Sequence, residues 1–409
     1  MFKTLKTAAF AVYVALIVFA VLAAAEYATR FYLSRTRGRG REQAEILMDR
    51  WAAFRVTPNY TRAGVHHNAQ GFRRDQDVAL EKPINTVRIF LMGASTAYGA
   101  ETVYPEIDPR WKISNRETID AYLEERLNAA FPSRHWEVIN AALSGSALHQ
   151  ELARLLSIVL RYRPDAVILM DGVNDLSRFA EANPNYDPYL NQPLLDEFND
   201  LTDPHGFASL RTMLSIWLVR NSAMFRTLYD RAAHRAHLEY RRQRLAGGPV
   251  PANLHFTDLA PDEQTRYQVV ASQIGSYRHT VRQIHRILAL DGIQDLFLLQ
   301  PTLRLTRKPL VDREPVLAEY DRAVAGRVEF YAYQTLYPLI AKQLTEDAPA
   351  EGYQFLDLTS VFDALNDQTF TDYCHLTPAG NRAAADKIFE YYSARMMNSV
   401  SSATASAPR

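Results

Sequence analysis

The sequence predicts an α/β fold of the flavodoxin-like kind, a three-layer α/β/α arrangement around a mostly parallel five-stranded sheet. Two observations predict it. From Thr86 onward, short apolar runs of strand length alternate with segments whose apolar residues return every three or four positions. Three of those runs also end in short blocks of small and polar residues, and open parallel sheets bind ligands beyond the carboxyl ends of their strands. Two additions complete the architecture: an N-terminal transmembrane helix and a helical insertion.

The elements follow in order. Ala8 to Ala25 is an uninterrupted apolar run, close to the ~20 residues a helix needs to span a bilayer. Lys3 and Lys6 precede it; Arg30, Arg35, Arg37, Arg39 and Arg41 follow. A cleaved signal peptide with Ala23-Ala24-Ala25 as its small-residue site is the competing reading. Length, and helix-compatible residues continuing through Phe31, favour a retained signal anchor over 1–30. Charge alone would leave the C-terminal side in the cytoplasm. Residues 31–83 read as linker and N-terminal extension, with a short helix expected around 45–54. His66-His67 has no metal-ligand partner at standard spacing and reads as surface. In Asn68-Ala69-Gln70-Gly71-Phe72-Arg73, Gly71 suits a positive-φ turn, Phe72 an inward position and Arg73 a carboxylate partner.

The domain over 84–397 begins with a strand at 87–92. A helix at 117–130, a strand at 136–140, a helix at 147–162 and a strand at 166–170 follow. A long helix over about 262–290, ended by Gly292, leads to strands at 295–300 and 353–358. A helix at 378–396 closes the domain, and the Ser/Ala-rich tail at 398–409 reads as disordered. The alternation breaks at about 177–260. There Pro184, Pro188 and Pro193 mark a loop, Leu210 to Leu228 is apolar and helical, and Arg231, Arg235, Arg241, Arg242 and Arg244 make a basic stretch. This insertion reads as a lid or partner-binding cap, or as a membrane-facing basic helix.

Composition narrows the class. Hydrophobic residues make up 47% of 409, enough for a sizeable core. Charge balances at +0, from 46 basic and 46 acidic side chains, so no global field points to nucleic acid. Cys374 is the only cysteine, which excludes an intrachain disulfide, and it reads as a small packed turn residue.

Four separated blocks carry the chemistry: Gly93-Ala94-Ser95-Thr96, Asn140-Ala141-Ala142-Leu143-Ser144-Gly145, Gly172-Val173-Asn174-Asp175 and Asp372-Tyr373-Cys374-His375. Each alone has a plainer explanation, such as a helix N-cap at Ser95 or a turn at Asn174-Asp175. The first block lacks the Lys and Gly spacing of a phosphate-binding loop. Together, and in this order, they resemble the SGNH (GDSL-type) hydrolase superfamily, as a membrane-anchored bacterial member, over roughly 84–396. Ala94 departs from the commonest family motif, which has Asp there.

The resemblance implies a serine hydrolase. Ser95 matches the nucleophile, His375 the base and Asp372 the carboxylate that orients it. The backbone N–H groups of Ser95 and Gly145, with the Asn174 side-chain amide, match the oxyanion hole. No cofactor and no metal are called for. The implied reaction is removal of an O-acyl group, often acetyl, from a saccharide or cell-envelope glycan. Two alternatives stay open: an O-acyltransferase in which a sugar hydroxyl replaces water, and a catalytically silent glycan-binding or assembly protein. The implied setting is a single pass through the bacterial inner membrane with the catalytic domain periplasmic. Ester substrate and membrane are the partners; oligomeric state is not readable.

Overall fold

The strands form because their sequences are apolar on both faces, as a sheet covered by helices on both sides requires. The computed structural model describes residues 2–36, 46–49, 53–181, 214–215, 217–219 and 221–405. It divides into two compact units, one of Glu45–Gln192 with Gly247–Arg409, the other of Met1–Ala44 with Pro193–Ala246.

The larger unit opens with two short antiparallel pairs, β1 (Ile46–Asp49) with β2 (Ala53–Val56) and β3 (Thr61–Arg62) with β4 (Val65–His66). The main sheet contains β5 (Thr86–Gly93), β6 (His135–Asn140), β7 (Ala166–Asp171), β8 (Gln294–Leu299) and β9 (Phe355–Asp357), in the order β6-β5-β7-β8-β9. Every pairing is parallel. The chain thus leaves β5 toward β6 on one side and returns past it to β7 on the other. That reversal makes the carboxyl end of β5 a topological switch point, where open α/β sheets bind ligands.

Alternation along β5 separates the two cores. Phe90 and Met92 face one cluster, with Leu148 and Leu155 of helix Leu148–Ser157, Val281 and Ile284 of Pro261–Leu290, and Tyr333 and Tyr337 of Arg327–Glu351. Ile89 and Leu91 face the other, with Leu123 and Leu127 of helix Ile119–Ala130, Leu317 of Glu314–Val324 and Ile388 of Pro378–Ala405. The result is the expected three-layer α/β/α fold, with a sheet that is wholly parallel.

Several local expectations are corrected. Residues 45–54, expected as a helix, contribute instead to the β1–β2 pair, with Ile46 opposite Val56 and Met48 opposite Phe54. Cross-strand pairing overrides helix propensity in so short a segment. The helix expected over 147–162 stops at Ser157 and gives way to a 3₁₀ turn at Val159–Tyr162. Helices Glu314–Val324 and Arg327–Glu351 were not anticipated, and the second contains Pro338 and Pro349. Interior prolines argue against a helix, but burial of Tyr333, Leu336, Tyr337 and Ile340 outweighs them here. The closing helix continues to Ala405, through part of the tail expected to be disordered, and 406–409 lie outside the described residues.

In the smaller unit, helix Phe2–Thr36 includes Ala9–Leu33, which is long and apolar enough to cross a membrane. The second helix is Ala223–Ala246, which carries the basic stretch. Its first N–H groups have no intrahelical partners, and the Glu26 carboxylate supplies them. It accepts from Ala223 N at 2.9 Å, Met224 N at 3.0 Å and Ser222 Oγ at 2.6 Å. The described part of the inserted segment is therefore divided: Ala223–Ala246 belongs with the N-terminal helix, and 177–181 and 247–260 with the sheet. Residues 182–213 of the insertion lie outside the described residues.

Glycines at two strand ends fix the backbone beside the switch point. Gly93 has φ +139°, and a Cβ there would lie 2.4 Å from Met170 O and 2.7 Å from Ala97 Cβ. Gly93→Ala is expected to cost about 2 kcal/mol or more in stability. Gly275, inside helix Pro261–Leu290, meets nothing within 4 Å. Gly275→Ala is expected to stabilise by about 0.5–1 kcal/mol. Calorimetry on the two variants checks both signs.

Candidate active site

The first block turns sharply out of the sheet. Ser95 opens the short helix Ser95–Tyr98, whose end is closed by Gly99 in the left-handed region. Ser95 is half-buried, while Thr96, Ala97 and Tyr98 are buried. Arg73 holds this turn from outside. Its Nη1 donates to Tyr98 O at 2.9 Å and Gly99 O at 2.7 Å, its Nη2 to Ile113 O at 2.5 Å and its Nε to Asn115 Oδ1 at 3.1 Å. A carboxylate partner was expected for Arg73; its hydrogen bonds given above go to three backbone carbonyls and the Asn115 side chain. Gly71 has the positive φ expected of it, 80°, and Phe72 is buried as expected.

His67 backs the same turn and is fully buried, which corrects its reading as a surface residue. Its Nδ1 meets Thr57 O at 2.9 Å and its Nε2 meets the Tyr98 hydroxyl at 2.7 Å. A carbonyl only accepts, so Nδ1 carries the hydrogen and Nε2 accepts from Tyr98. Burial pushes the ring down to about 4, so it stays neutral at physiological pH.

The second and third blocks close on the first. Gly93 O accepts Leu143 N at 2.9 Å, and the Asn140 side chain donates to Ala97 O at 3.0 Å. Gly145 takes φ +82°, a conformation that favours glycine. Asn174, in the first turn of helix Val173–Glu181, donates its side-chain amide to Ser146 O at 2.7 Å. An amide carries two hydrogens, so one bond uses half its donor capacity.

The fourth block arrives from the far end of the chain. Thr96 Oγ1 donates to Cys374 O at 3.1 Å, and Gln300 Nε2 donates to the same hydroxyl at 2.9 Å. Thr102 Oγ1 adds a bond to Thr371 O at 2.8 Å. Within the block, His375 Nδ1 meets Asp372 Oδ2 at 2.7 Å. Asp372 also accepts the backbone N–H groups of Val103 at 2.7 Å and of Cys374 and His375 at 2.8 Å each.

These contacts set the charges. Burial alone would raise the Asp372 carboxyl, but the His375 ring and the surrounding N–H groups hold it down at about 2. Burial alone would lower the His375 ring, but the Asp372 carboxylate holds it well above its ordinary value. The Cys374 thiol lies 3.8 Å from Nδ1 and is itself pushed up by burial, so it stays neutral and lends the ring no charge.

Nε2 of His375 is buried and has no hydrogen-bond partner among the described residues. The Ser95 hydroxyl, too, makes no hydrogen bond to it. Such contacts are often open in a ligand-free site and tighten around substrate. Asp372, Cys374 and His375 also bring one donor atom each to within 4.8 Å of one another. A neutral thiol and an Asp–His pair already bonded to each other suit proton handling better than a cation. Sequence reading did not single out Thr96, Ser146 and Gln300. Thr96 and Ser146 stand in or beside quoted blocks, but nothing local announces their distant partners.

Residues 91–383 match the GDSL-like Lipase/Acylhydrolase family. Among solved structures, the chain is similar to an alpha/beta hydrolase enzyme from the metagenome of Lake Arreo, Spain, at 16% identity over 74% of this chain and 94% of that one, with a TM-score of 0.36. It is similar to an acetylxylan esterase from Geobacillus stearothermophilus at 13% identity over 74% and 93%, with a TM-score of 0.34. It is also similar to a lipase/acylhydrolase from Enterococcus faecalis at 14% identity over 76% and 96%, with a TM-score of 0.35. No curated protein matches the chain in sequence.

Opposed terms on His375 give a directional prediction. Asp372→Asn removes the charge that raises the ring and leaves the burial that lowers it. His375 in this variant is expected to titrate below the ordinary histidine value of about 6.5. Ring-proton NMR across pH measures it, and a ring still titrating above that value would contradict the assignment of cause.

Proposed function

Because the chain belongs to the GDSL-like lipase/acylhydrolase family and is a carboxylic ester hydrolase, we propose that it cleaves O-acyl esters through Ser95, His375 and Asp372. The substrate class in this reading is an acylated saccharide or cell-envelope glycan, with acetyl the foremost acyl group. One observation carries the mechanism. A buried imidazole is fixed through Nδ1 on a carboxylate, its Nε2 has no partner among the described residues, and its loop is tied by the Thr96–Cys374 bond to the turn that begins with Ser95.

In this mechanism Nε2 of His375 takes the Ser95 hydroxyl proton as Oγ attacks the ester carbonyl carbon. The carbonyl oxygen becomes an oxyanion, which the N–H groups of Ser95 and Gly145 and the Asn174 amide stabilise. Collapse breaks the bond to the alcohol oxygen, and His375 returns its proton to that oxygen. Water, deprotonated by the same nitrogen, then attacks the acyl-enzyme and releases the acid. Asp372 stays ionised throughout and stabilises the imidazolium. Since the base must be neutral and its pKa is raised, hydrolysis falls as pH drops through that raised value.

Ser95→Ala is expected to abolish hydrolysis of a short-chain aryl acetate while leaving the thermal transition in place. A fluorophosphonate probe is expected to label the wild type at Ser95 and not this variant. Turnover by Ser95→Ala at the wild-type rate would remove the reading. Asn174→Ala is expected to cost roughly 10²–10³ in kcat.

The length and apolarity of Ala9–Leu33 support retention of the N-terminal helix as an anchor, and the resemblance favours a periplasmic catalytic domain. The arginines that follow the span oppose that orientation. A reporter fused after Arg409 is expected to be active outside the cytoplasm; a cytoplasm-only signal would reverse the orientation.

A further inference from the structure

Ser146 has more oxygen neighbours than it has hydrogens. Its hydroxyl is fully buried and meets Glu151 Oε1 at 2.7 Å, Leu143 O at 2.8 Å and Gly93 O at 3.3 Å. A hydroxyl donates once, and a carbonyl only accepts. If Glu151 were ionised it too would only accept, and one of the two short contacts would hold no hydrogen. A protonated Glu151 removes the conflict: it donates to Ser146 Oγ, and Ser146 donates to Leu143 O.

The same reasoning extends one residue deeper. Glu151 Oε2 and both carboxyl oxygens of Asp171 are buried with no donor among the described residues. The Glu151 and Asp171 carboxyls act on each other electrostatically, and with no donor for these three oxygens neither is offset as a carboxylate. A third acid, Asp175 of helix Val173–Glu181, differs. It accepts the N–H of Leu148 at 3.0 Å and that of Gly172 at 3.4 Å. Arg154 acts on the pair from helix Leu148–Ser157, and Tyr277 faces it from Pro261–Leu290. The Arg154 Nε is engaged with Ala141 O at 2.8 Å. Burial pushes both above the ordinary carboxylate range; Glu151 and then Asp175 add to the effect on Asp171, while Ser146 and Arg154 pull Glu151 the other way.

We infer that Glu151 and Asp171 form a neutral carboxylic-acid pair whose hydrogens, passed through Ser146, position the Gly145–Ser146 turn and the Asn174 amide. As a role in catalysis, this rests on the reading of Gly145 and Asn174 as oxyanion donors. Asp171 donates to Glu151, Glu151 to Ser146 Oγ, and Ser146 to the Leu143 carbonyl, while Ser146 O receives Asn174. Neither acid touches the reacting atoms; both are positioning residues. Raising the pH ionises the pair, turns the Ser146 hydroxyl toward a carboxylate and leaves the Leu143 carbonyl with only the Ser146 N–H at 3.0 Å. Ionisation of the pair lowers kcat as pH rises, opposite in sign to the titration of His375, which must be neutral to act as the base. The sign for stability is the same. The folded pKa lies above the unfolded one, so the stabilisation is full below about pH 4 and is lost as pH rises through the raised value.

The test compares Glu151→Gln with Glu151→Ala. A glutamine amide donates to Ser146 and accepts from Asp171 without titrating. Glu151→Gln is expected to keep kcat for an aryl acetate within about threefold of wild type near neutral pH, with its alkaline decline moved upward. Glu151→Ala is expected to lose roughly 10²-fold in kcat with KM changed by less than about twofold. Equal loss in both variants, with near-UV circular dichroism intact, would overturn the inference. A readout free of activity separates it from the esterase reading. The difference infrared spectrum of wild type minus Glu151→Gln at pH 7 is expected to contain the C=O stretch of a protonated carboxyl. Absence of that band overturns the neutral pair even in an active enzyme. Presence of the band in a protein that cleaves no ester sustains the pair and rejects the catalytic reading. Should Glu151→Ala not fold, the glutamine variant and the band still decide.

Discussion

One buried hydroxyl joins the two ends of the candidate site. Thr96 donates to Cys374 O across 278 residues of sequence and accepts from Gln300, just past the end of β8. It is 2% exposed, so its bonds act where few waters compete and a lost partner would go unreplaced. Through this hydroxyl the turn after β5, the end of β8 and the Asp–His loop share one reference point. Loop positions that must hold a serine and an imidazole in register gain most from such a tie, because misplacement of even ~1 Å costs heavily in a reaction that depends on orientation.

The sheet order explains why the other two blocks reach the same place. β5 has β6 on one side and β7 on the other, so the residues after all three strands converge at one switch point. Gly93 O, the last carbonyl of β5, accepts Leu143 N from the block after β6. Asn174, after β7, reaches Ser146 in that same loop. The contacts close enough that a side chain on Gly93 would strike the β7 backbone at Met170 O. Ala94, the departure from the commonest family motif, is 2% exposed in extended backbone. A carboxyl there would need partners in a space that a methyl group now fills.

What sequence reading could reach divides along physical lines. The central strands β5 and β7 were the most legible, because burial on both faces writes a continuous apolar run, and the quoted blocks follow β5, β6 and β7. Gly145 was singled out through the resemblance, and its φ of +82° is a conformation that favours glycine. The β1–β2 pair was not, since four-residue strands are decided by the partner they find. Helix Arg327–Glu351 was hidden by Pro338, and only its buried tyrosines, whose partners lie far off in sequence, account for it. His67 looked like surface because an imidazole reveals nothing of its burial until Thr57 O and the Tyr98 hydroxyl are in place.

The protonation of the acids was the least legible feature, and its cause is local. Asp372, Asp171, Asp175 and Asp120 are all aspartates at or near strand ends or helix starts, alike in sequence. Their surroundings differ in the supply of N–H donors. Asp372 accepts three backbone N–H groups beside the His375 ring, and its carboxyl is held low despite complete burial. Asp175 accepts two. Asp120 receives the Asn140 amide at 2.7 Å, and burial lifts it to about 6. Asp171 receives no donor among the described residues and keeps its hydrogen. Burial penalises every one of these carboxylates; the hydrogen-bond donors and positive charges around each decide how far that penalty is offset, and at Asp372 the His375 ring leads. The ionised acid therefore stands where imidazolium must be stabilised, and the neutral acids stand where a hydrogen must be supplied to hold a turn.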